Sequence, residues 1–253
     1  MSKRKDILDG RQVKNLMKNY GLIYTCNCGW VDLGHLTPTN SRLIIGATNL
    51  WKQISNEGKA VLKSECRRQI FTPAECANDP EYKFPDGKTG YKVRHRQDHA
   101  GIIGKPGREG IYIVKHGLSL EQKKSVALAI FMAVSIRFEN LQSNFSLFTD
   151  SGYSQDDLIS NFIGFYIGIN VVQRLPILQK CHPVSDKAAY AIWDRDGAVG
   201  KNKNNNWTPK LAKDVMSITE NACEIECRNQ PKKLPAELKQ IQPAKKGQNF
   251  VEL

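Results

Sequence analysis

The sequence has no run of apolar residues long enough to cross a bilayer. Its longest apolar stretches, around residues 126–136 and 158–172, are interrupted by Ser, Asn, Gly or Arg, whereas a spanning helix needs about 20 predominantly apolar residues. The basic N-terminus is followed by no apolar core or small-residue cleavage site, so it does not have the form of a secretory signal. We therefore expect synthesis in the cytoplasm without a signal peptide, and no transmembrane segment.

The sequence also lacks the short motifs of several large protein classes. It contains no GxxxxGK[ST], no GxGxxG after a strand, no HExxH and no GxSxG, which argues against nucleotide and dinucleotide enzymes, HExxH metallopeptidases and ordinary serine hydrolases. It has no RNA-recognition signature, zinc finger or zipper, and its tryptophans are not interleaved with Lys and Arg in the manner of base-stacking surfaces. A function has to be sought in less common arrangements of residues.

The composition is that of an ordinary globular protein. Hydrophobic residues make up 40% of the 253 residues and charged residues 25%, which excludes a disordered or collagen-like chain. No internal repeat is present, and the mixture of strand and helix patterns predicts the α+β class. We expect a single α+β domain over residues 21–228, preceded by a basic segment at 1–20 and followed by a basic, mobile tail at 229–253.

The sequence has more positively than negatively charged residues, and this excess bears on its possible partners. The 37 Lys and Arg residues outnumber the 25 Asp and Glu residues and give a net charge of +12. Such a field attracts polyanions over a range of about 8 Å at physiological salt. Nucleic acid, an anionic membrane face and the acidic bacterial cell wall are all compatible partners, and charge alone does not choose among them.

Seven cysteines are many for a cytosolic chain of this size. Their spacings do not form the paired CxxC units of a structural zinc site, and the odd number leaves at least one thiol unpaired. Disulfides require an oxidising compartment, which this chain would have to reach by a route without an N-terminal signal. The seven are Cys26, Cys28, Cys66, Cys76, Cys181, Cys223 and Cys227.

Hydrophobic patterns predict a small sheet and several helices. Residues 22–25 have the pattern of a short strand, and the following CNCGWVDLGHL is better interpreted as a loop or strand end. Residues 39–56 have apolar residues at helical spacing, which predicts an amphipathic helix. Alternation in YKVRH, HAGIIG and IYIVKHG, separated by KPGREG, predicts a β-hairpin or small sheet.

Two longer helices are predicted in the second half of the chain. Residues 119–142 begin with Ser119 as N-cap and are apolar on nearly every face, which is typical of a buried central helix. A second helix is predicted from Ser154 to near Arg174, and the short segment between the two favours their packing together. Residues 185–200 predict a short helix closed by Gly, and residues 201–210 an Asn-rich loop.

The densest group of chemically active side chains is the segment CGWVDLGH at residues 28–35. Asp32 and His35 lie three positions apart beside glycines, which let a backbone approach a ligand closely. A His and an Asp at this spacing suit a general base and its orienting carboxylate, or two metal ligands. The alternative is structural: Asp32 caps a turn and His35 packs at a strand end.

Glu139 is the second candidate, because it lies at the end of a helix whose preceding two turns are almost wholly apolar. A partly buried carboxyl group there would have its pKa raised into the range useful for a general acid. In the structural alternative, Arg137, Arg174 or a backbone donor satisfies the carboxylate.

Residues 149–157, TDSGYSQDD, gather carboxylates and hydroxyls at a predicted helix N-terminus. They suit the polar rim of a pocket, and Asp150 is near enough in sequence to Glu139 for a two-carboxylate site. The spacing of Ser154 and Asp157, however, is close to that of a capping box, and capping is the favoured interpretation for those two residues.

A nucleophilic arrangement competes with these. In this arrangement the nucleophile is Cys28, the base is His99 and the orienting residue is His116. Along the chain the order is a Cys, a His that opens a strand and a polar residue on the next strand. This order resembles that of papain-like cell-wall peptidases. In that family the Cys begins a helix, whereas here the predicted helix begins near residue 39.

Two segments resemble an uncharacterised bacterial family, many of whose members are described as lipoproteins of unknown function. The family pattern is CG-aromatic-x-D-x-x-H, then a helix ending in Glu, then SxSx(E/D)DLxSNxxG, and it matches about a quarter of this chain. The resemblance implies that Asp32, His35 and Glu139 meet in one pocket, although it names no reaction. The matching residues are Cys28, Gly29, Trp30, Asp32, His35, Glu139, Ser154, Asp156, Asp157, Leu158, Ser160, Asn161 and Gly164.

Together these features predict a hydrolase of the bacterial envelope, acting on peptidoglycan as an exported antibacterial toxin. Glu139 would serve as general acid or base, His35 as base or ligand, and Asp32 would orient His35. The expected partners are an anionic cell-wall polymer, a secretion machinery and an immunity protein, with action in a periplasm. No cofactor is predicted, although a divalent metal at His35 stays open, and a non-enzymatic protein that binds nucleic acid or another polyanion is the main alternative.

Overall fold

The computed structural model describes residues 2–42, 44–58, 82–97, 107–144, 153–212 and 227–253. Helices combine with small antiparallel sheets, so the predicted α+β class is confirmed. The chain groups into two compact units. Unit 1 consists of Met1–Thr37 and Glu139–Gln240, and unit 2 consists of Pro38–Phe138 and Ile241–Leu253.

Unit 1 is built around a short hairpin. The strands β1 (Leu22–Thr25) and β2 (Gly29–Asp32) pair antiparallel, with Tyr24 opposite Trp30. The segment interpreted as a loop or strand end therefore contributes a paired strand. The other elements are α1 (Val13–Leu16), α4 (Asp157–Gly168), α5 (Arg174–Lys180), α6 (Asp186–Asp196) and 3-10 turns at Arg4–Asp6 and Ala236–Lys239.

Aromatic packing and two disulfides fix this hairpin. The Trp30 ring meets Tyr24 edge-on at 5.2 Å and Trp193 of α6 at 5.8 Å between centroids. Cys26 bonds to Cys227 and Cys28 bonds to Cys181, so both disulfides join the β1–β2 turn to distant parts of the chain. Spacing did not predict these pairs, because partners separated by 201 and 153 residues leave no local signal.

Unit 2 contains a three-stranded antiparallel sheet in the order β3-β4-β5. The predicted hairpin is present as β3 (Gly90–Gln97) and β4 (Arg108–Lys115), while the HAGIIG segment lies outside the described residues. Strand β5 (Phe250–Glu252) pairs with β4. Helix α2 (Ala47–Ser55) lies beside β3, where the Gln53 amide exchanges hydrogen bonds of 2.8 and 2.9 Å with the Arg94 backbone.

Two helices differ from prediction at their starts. Helix α2 begins at Ala47 rather than near residue 39, because the buried Asn49 amide donates to the carbonyls of Asn40, Arg42 and Ile45 and holds that segment as a loop. Helix α4 begins at Asp157, three residues later than expected.

Helix α3 (Leu120–Asn144) begins as predicted. The Ser119 hydroxyl accepts from the Gln122 N–H at 3.3 Å, and the Gln122 side chain accepts from the Ser119 N–H at 3.0 Å, which forms a reciprocal capping box. The residues of α3 up to Phe138 belong to unit 2 and those from Glu139 to unit 1.

The C-terminal segment differs from the mobile tail expected at 229–253. Leu234, Leu238, Ile241 and Phe250 are buried, and the last of them lies in β5. Arg137 and Glu252 form a two-pronged ion pair. The apolar residues are too widely and irregularly spaced to give a periodic pattern, so their burial was not evident from sequence.

Within the described ranges, no helix combines the length and the apolar character that crossing a membrane requires.

Unit 2 should lose stability on mild acidification because of His95. This residue of β3 is fully buried, with its ring 5.7 Å from that of Phe131. Burial lowers the pKa of His95 to about 4, and the Ile44 backbone opposes the shift in part. Since the unfolded chain binds the proton at a pKa of about 6.5, the free energy of unfolding should fall by roughly 3 kcal/mol between pH 6.5 and 4.

Urea titrations followed by circular dichroism measure the free energy of unfolding at each pH. Between pH 6.5 and 4 it should fall by roughly 3 kcal/mol less in His95→Phe than in wild type. His182→Asn is the matched control, because asparagine tolerates the positive φ of 55° at that position. Equal pH dependence in wild type and His95→Phe would contradict the prediction.

Candidate active site

The turn after β2 places Asp32 and His35. The carboxylate of Asp32 accepts from the Gly34 N–H at 2.7 Å and from the Ser2 hydroxyl at 3.0 Å. The His35 N–H donates to the Asp32 carbonyl at 3.2 Å. Asp32 therefore caps the turn that carries His35, as the structural alternative proposed. The imidazole itself is 39% exposed, so this part of the molecule is open to solvent.

Glu139 lies on α3 and is almost completely buried. Its Oε2 accepts from the Tyr153 N–H at 2.9 Å. Burial raises the pKa of Glu139, as does the charge of Asp156, while the Tyr153 N–H, His35 and Lys203 act in the opposite direction. The raised pKa agrees with the sequence prediction.

The two arginines proposed as partners for Glu139 bind other groups. Arg137 pairs with Glu252, and Arg174 donates to the carbonyls of Leu16 and Lys18. Of the partners that the structural alternative named, the backbone donor is the one present, and it is the Tyr153 N–H.

Two further carboxylates stand at the start of α4. Asp156 and Asp157 are both buried. The Ser154 hydroxyl donates to Asp156, and the Ser154 N–H donates to Asp157 Oδ2 at 3.1 Å. The bond from the Ser154 N–H to Asp157 is the one that the capping-box spacing predicted, but the N-cap of α4 is Asp156, and the Ser154 side chain binds Asp156. Residues 149–152, including Asp150, lie outside the described residues.

His35 and Asp157 link the two segments directly. Nδ1 of His35 lies 3.6 Å from Oδ1 of Asp157. Burial raises the pKa of Asp157 well above its usual value, and the charges of Asp156, Glu139 and Asp32 raise it further. Burial likewise raises the pKa of Asp156, where Asp32 adds to the effect and the Ser154 hydroxyl and His35 oppose it.

These five side chains act on one another as a single group, which we call the acidic site. Burial and the charges of neighbouring carboxylates raise the pKa values of Glu139, Asp156 and Asp157, so each of these groups holds its proton to a higher pH than an isolated carboxyl group does. That property suits a general acid. The acidic site consists of Asp32, His35, Glu139, Asp156 and Asp157.

Two residues of α4 hold the turn of His35 in place. The Ser160 hydroxyl accepts from the Asp32 N–H at 2.9 Å and donates to the Asp156 carbonyl at 2.5 Å. At Gly164, a Cβ would stand 2.7 Å from the His35 carbonyl oxygen, so only glycine permits this approach. Ser160 and Gly164 thus give a physical reason for two positions of the SNxxG pattern.

Sequence reasoning missed two neighbours of Glu139. The Tyr153 N–H binds its carboxylate, and the charge of Lys203 lowers its pKa. Lys203 lies in an Asn-rich loop with no pattern that points to a site, so no signal in the sequence identified it.

The nucleophilic arrangement requires a correction at Cys28. Its sulfur is bonded to Cys181 and the residue is buried, so it is not a free thiolate. His99 lies outside the described residues, and His116 contacts Glu57 at 3.0 Å in unit 2. The described residues do not assemble the papain-like order.

The structure gives no support to a metal at His35. Among the described residues, no group of three or more His, Cys, Asp or Glu side chains is arranged to hold a metal ion.

Searches against family models, curated proteins and solved structures find no match for this chain.

Proposed function

We propose that the chain is a hydrolase of the bacterial cell envelope and that the acidic site is its reaction centre. The observation that carries the proposal is the environment of Glu139: a buried carboxyl group with a raised pKa whose charge is coupled to an exposed histidine. A carboxyl group with a raised pKa that is electrostatically coupled to a solvent-accessible base is a pair that suits acid-base catalysis of hydrolysis.

In this proposal Glu139 protonates the leaving atom while His35 takes a proton from the attacking water. Water adds to the carbon of the scissile bond, the bond to the leaving oxygen or nitrogen breaks, and the leaving group departs with the proton of Glu139. Asp157, 3.6 Å from Nδ1, is the carboxylate best placed to stabilise protonated His35. Asp32 acts by fixing the turn that carries His35.

Two properties of the whole chain support an anionic substrate outside the cytoplasm. The net charge of +12 favours approach to an anionic polymer. The two disulfides are typical of proteins that act in oxidising compartments. Both fit a toxin that is exported to act on peptidoglycan in a periplasm, with a secretion machinery and an immunity protein as its partners.

The experiment is digestion of purified peptidoglycan by the full chain, with products identified by mass. Products with new reducing ends assign a glycosidic bond, and products with new amines assign an amide bond. No product from protein shown to be folded by circular dichroism overturns the proposal. Binding to nucleic acid that weakens steeply with salt, in the absence of any product, would instead support the polyanion-binding alternative.

A further inference from the structure

The segment between residues 11 and 20 carries an unusual concentration of exposed apolar side chains. Val13, Met17 and Tyr20 are 49%, 52% and 66% exposed, and they are three of the five large hydrophobic residues exposed in the described part of the chain. Single exposed apolar residues are normal on a protein surface, whereas a cluster marks an interaction site. Val13 and Met17 are four residues apart, so they project from the same side of α1 and its C-terminal end.

Positive charges flank Val13 and Met17, whereas the Tyr20 hydroxyl donates a hydrogen bond to the Asp6 carboxylate. Arg11, Lys14 and Lys18 are exposed in the same segment, and residues 10–20 include no Asp or Glu. Asp9 offsets part of the charge of Arg11 at 3.3 Å. We call the combined feature the basic-apolar surface, which consists of Arg11, Val13, Lys14, Met17, Lys18 and Tyr20.

Inward-facing residues hold the basic-apolar surface in position. Asn15 and Leu16 are buried, and the Asn15 amide donates to the Asp9 carbonyl at 2.9 Å. Arg174 donates to the Leu16 carbonyl at 3.0 Å and also to the Lys18 carbonyl. These buried residues and hydrogen bonds fix the backbone of the segment. Its exposed side chains can therefore contact a partner without a change in the backbone.

The same segment ends beside the acidic site. The Gly21 carbonyl accepts from the Leu33 N–H at 2.8 Å. The Asn19 carbonyl oxygen lies 3.6 Å from the place where a Cβ on Gly34 would stand. A partner bound to the basic-apolar surface would therefore lie next to the turn that carries His35.

We propose that the basic-apolar surface docks unit 1 on an anionic lipid bilayer. Aliphatic side chains enter the boundary between headgroups and acyl chains, tyrosine prefers the same depth, and lysines contact anionic headgroups. An anionic glycan or a nucleic acid would use the charges but would leave Val13 and Met17 without a role. This inference concerns membrane docking and does not depend on the reaction at the acidic site.

The test is co-sedimentation of the full chain with phosphatidylcholine vesicles that contain or lack phosphatidylglycerol. Binding is expected only with the anionic lipid. Lys14→Gln with Lys18→Gln should lower the partition coefficient by roughly 25-fold, at about fivefold for each lysine. Val13→Ser with Met17→Ser should lower it by roughly tenfold or more without changing the charge.

Lys232→Gln with Lys233→Gln is the matched control, because it removes two exposed charges that do not belong to the basic-apolar surface and should leave binding nearly unchanged. If both double lysine variants lost the same fraction of the partition coefficient, net charge alone would drive binding and the proposal would be overturned. Equal binding to neutral vesicles, or full binding by the serine variant, would also overturn it. Circular dichroism of each variant confirms that these exposed substitutions leave the fold intact.

Discussion

Replacing Glu139 by glutamine is expected to lower the rate of peptidoglycan hydrolysis by about 100- to 10,000-fold, the usual contribution of a general acid or base. The amide keeps the size of the side chain, and its oxygen still accepts from the Tyr153 N–H. What it loses is the ability to give a proton to the leaving atom. The initial rate of product release, measured at saturating sacculi, reports this step.

Glu121→Gln provides the matched control for this change. Glu121 lies at the first turn of the same helix, and its side chain is 73% exposed. Its replacement makes the same glutamate-to-glutamine change on α3 and should leave the rate unchanged. A Glu139→Gln variant that retains the wild-type rate would exclude Glu139 as the acid and would remove the main support for the proposed reaction.

Reduction of the disulfides is expected to lower the free energy of unfolding by about 4 kcal/mol. Cys26–Cys227 and Cys28–Cys181 have sequence separations of 201 and 153 residues, and such long crosslinks restrict the unfolded chain strongly. Because both bonds start from the same turn, their loops overlap and their effects should not simply add. Urea titration of oxidised and reduced protein measures the difference.

The pairing itself can be checked on the same samples. Alkylation without prior reduction should leave Cys26, Cys28, Cys181 and Cys227 unmodified, and peptide mapping should recover the two crosslinked pairs. The variant Cys28→Ser with Cys181→Ser tests one bond separately. Alkylation of Cys28 in the untreated protein, or equal stability of oxidised and reduced chains, would contradict this part of the account.

Local signals in the sequence predicted several elements correctly. Ser119 caps the helix that follows it, the short helix expected from residue 185 is present as α6 with Gly197 after its end, and alternation marked β3 and β4. These features depend on residues within a few positions of one another. Strand β5 and the disulfides depend on partners far away in the chain, so hydrophobic periodicity and cysteine spacing did not reveal them.

In the candidate site, too, local features were predictable from the sequence and long-range contacts were not. The short motifs identified Asp32 and His35, and the apolar turns before Glu139 predicted its burial and raised pKa. The contact between His35 and Asp157 and the bond from Asp32 to Ser160 arise only when β2 and α4 pack together. The spacing of Ser154 and Asp157 predicted a local bond between them, which is present although neither residue is the N-cap of α4, and nothing in that spacing indicated that Asp157 also faces His35.

The central claim is that His35, Glu139 and Asp156 belong to one electrostatically coupled site. The most direct test is to measure the pKa of the Glu139 carboxyl group by carbon-detected NMR in wild type, His35→Ala and Asp156→Asn. We predict a raised pKa in wild type, a further increase without His35, and a decrease without the Asp156 charge. An ordinary pKa that neither substitution moves would contradict the account.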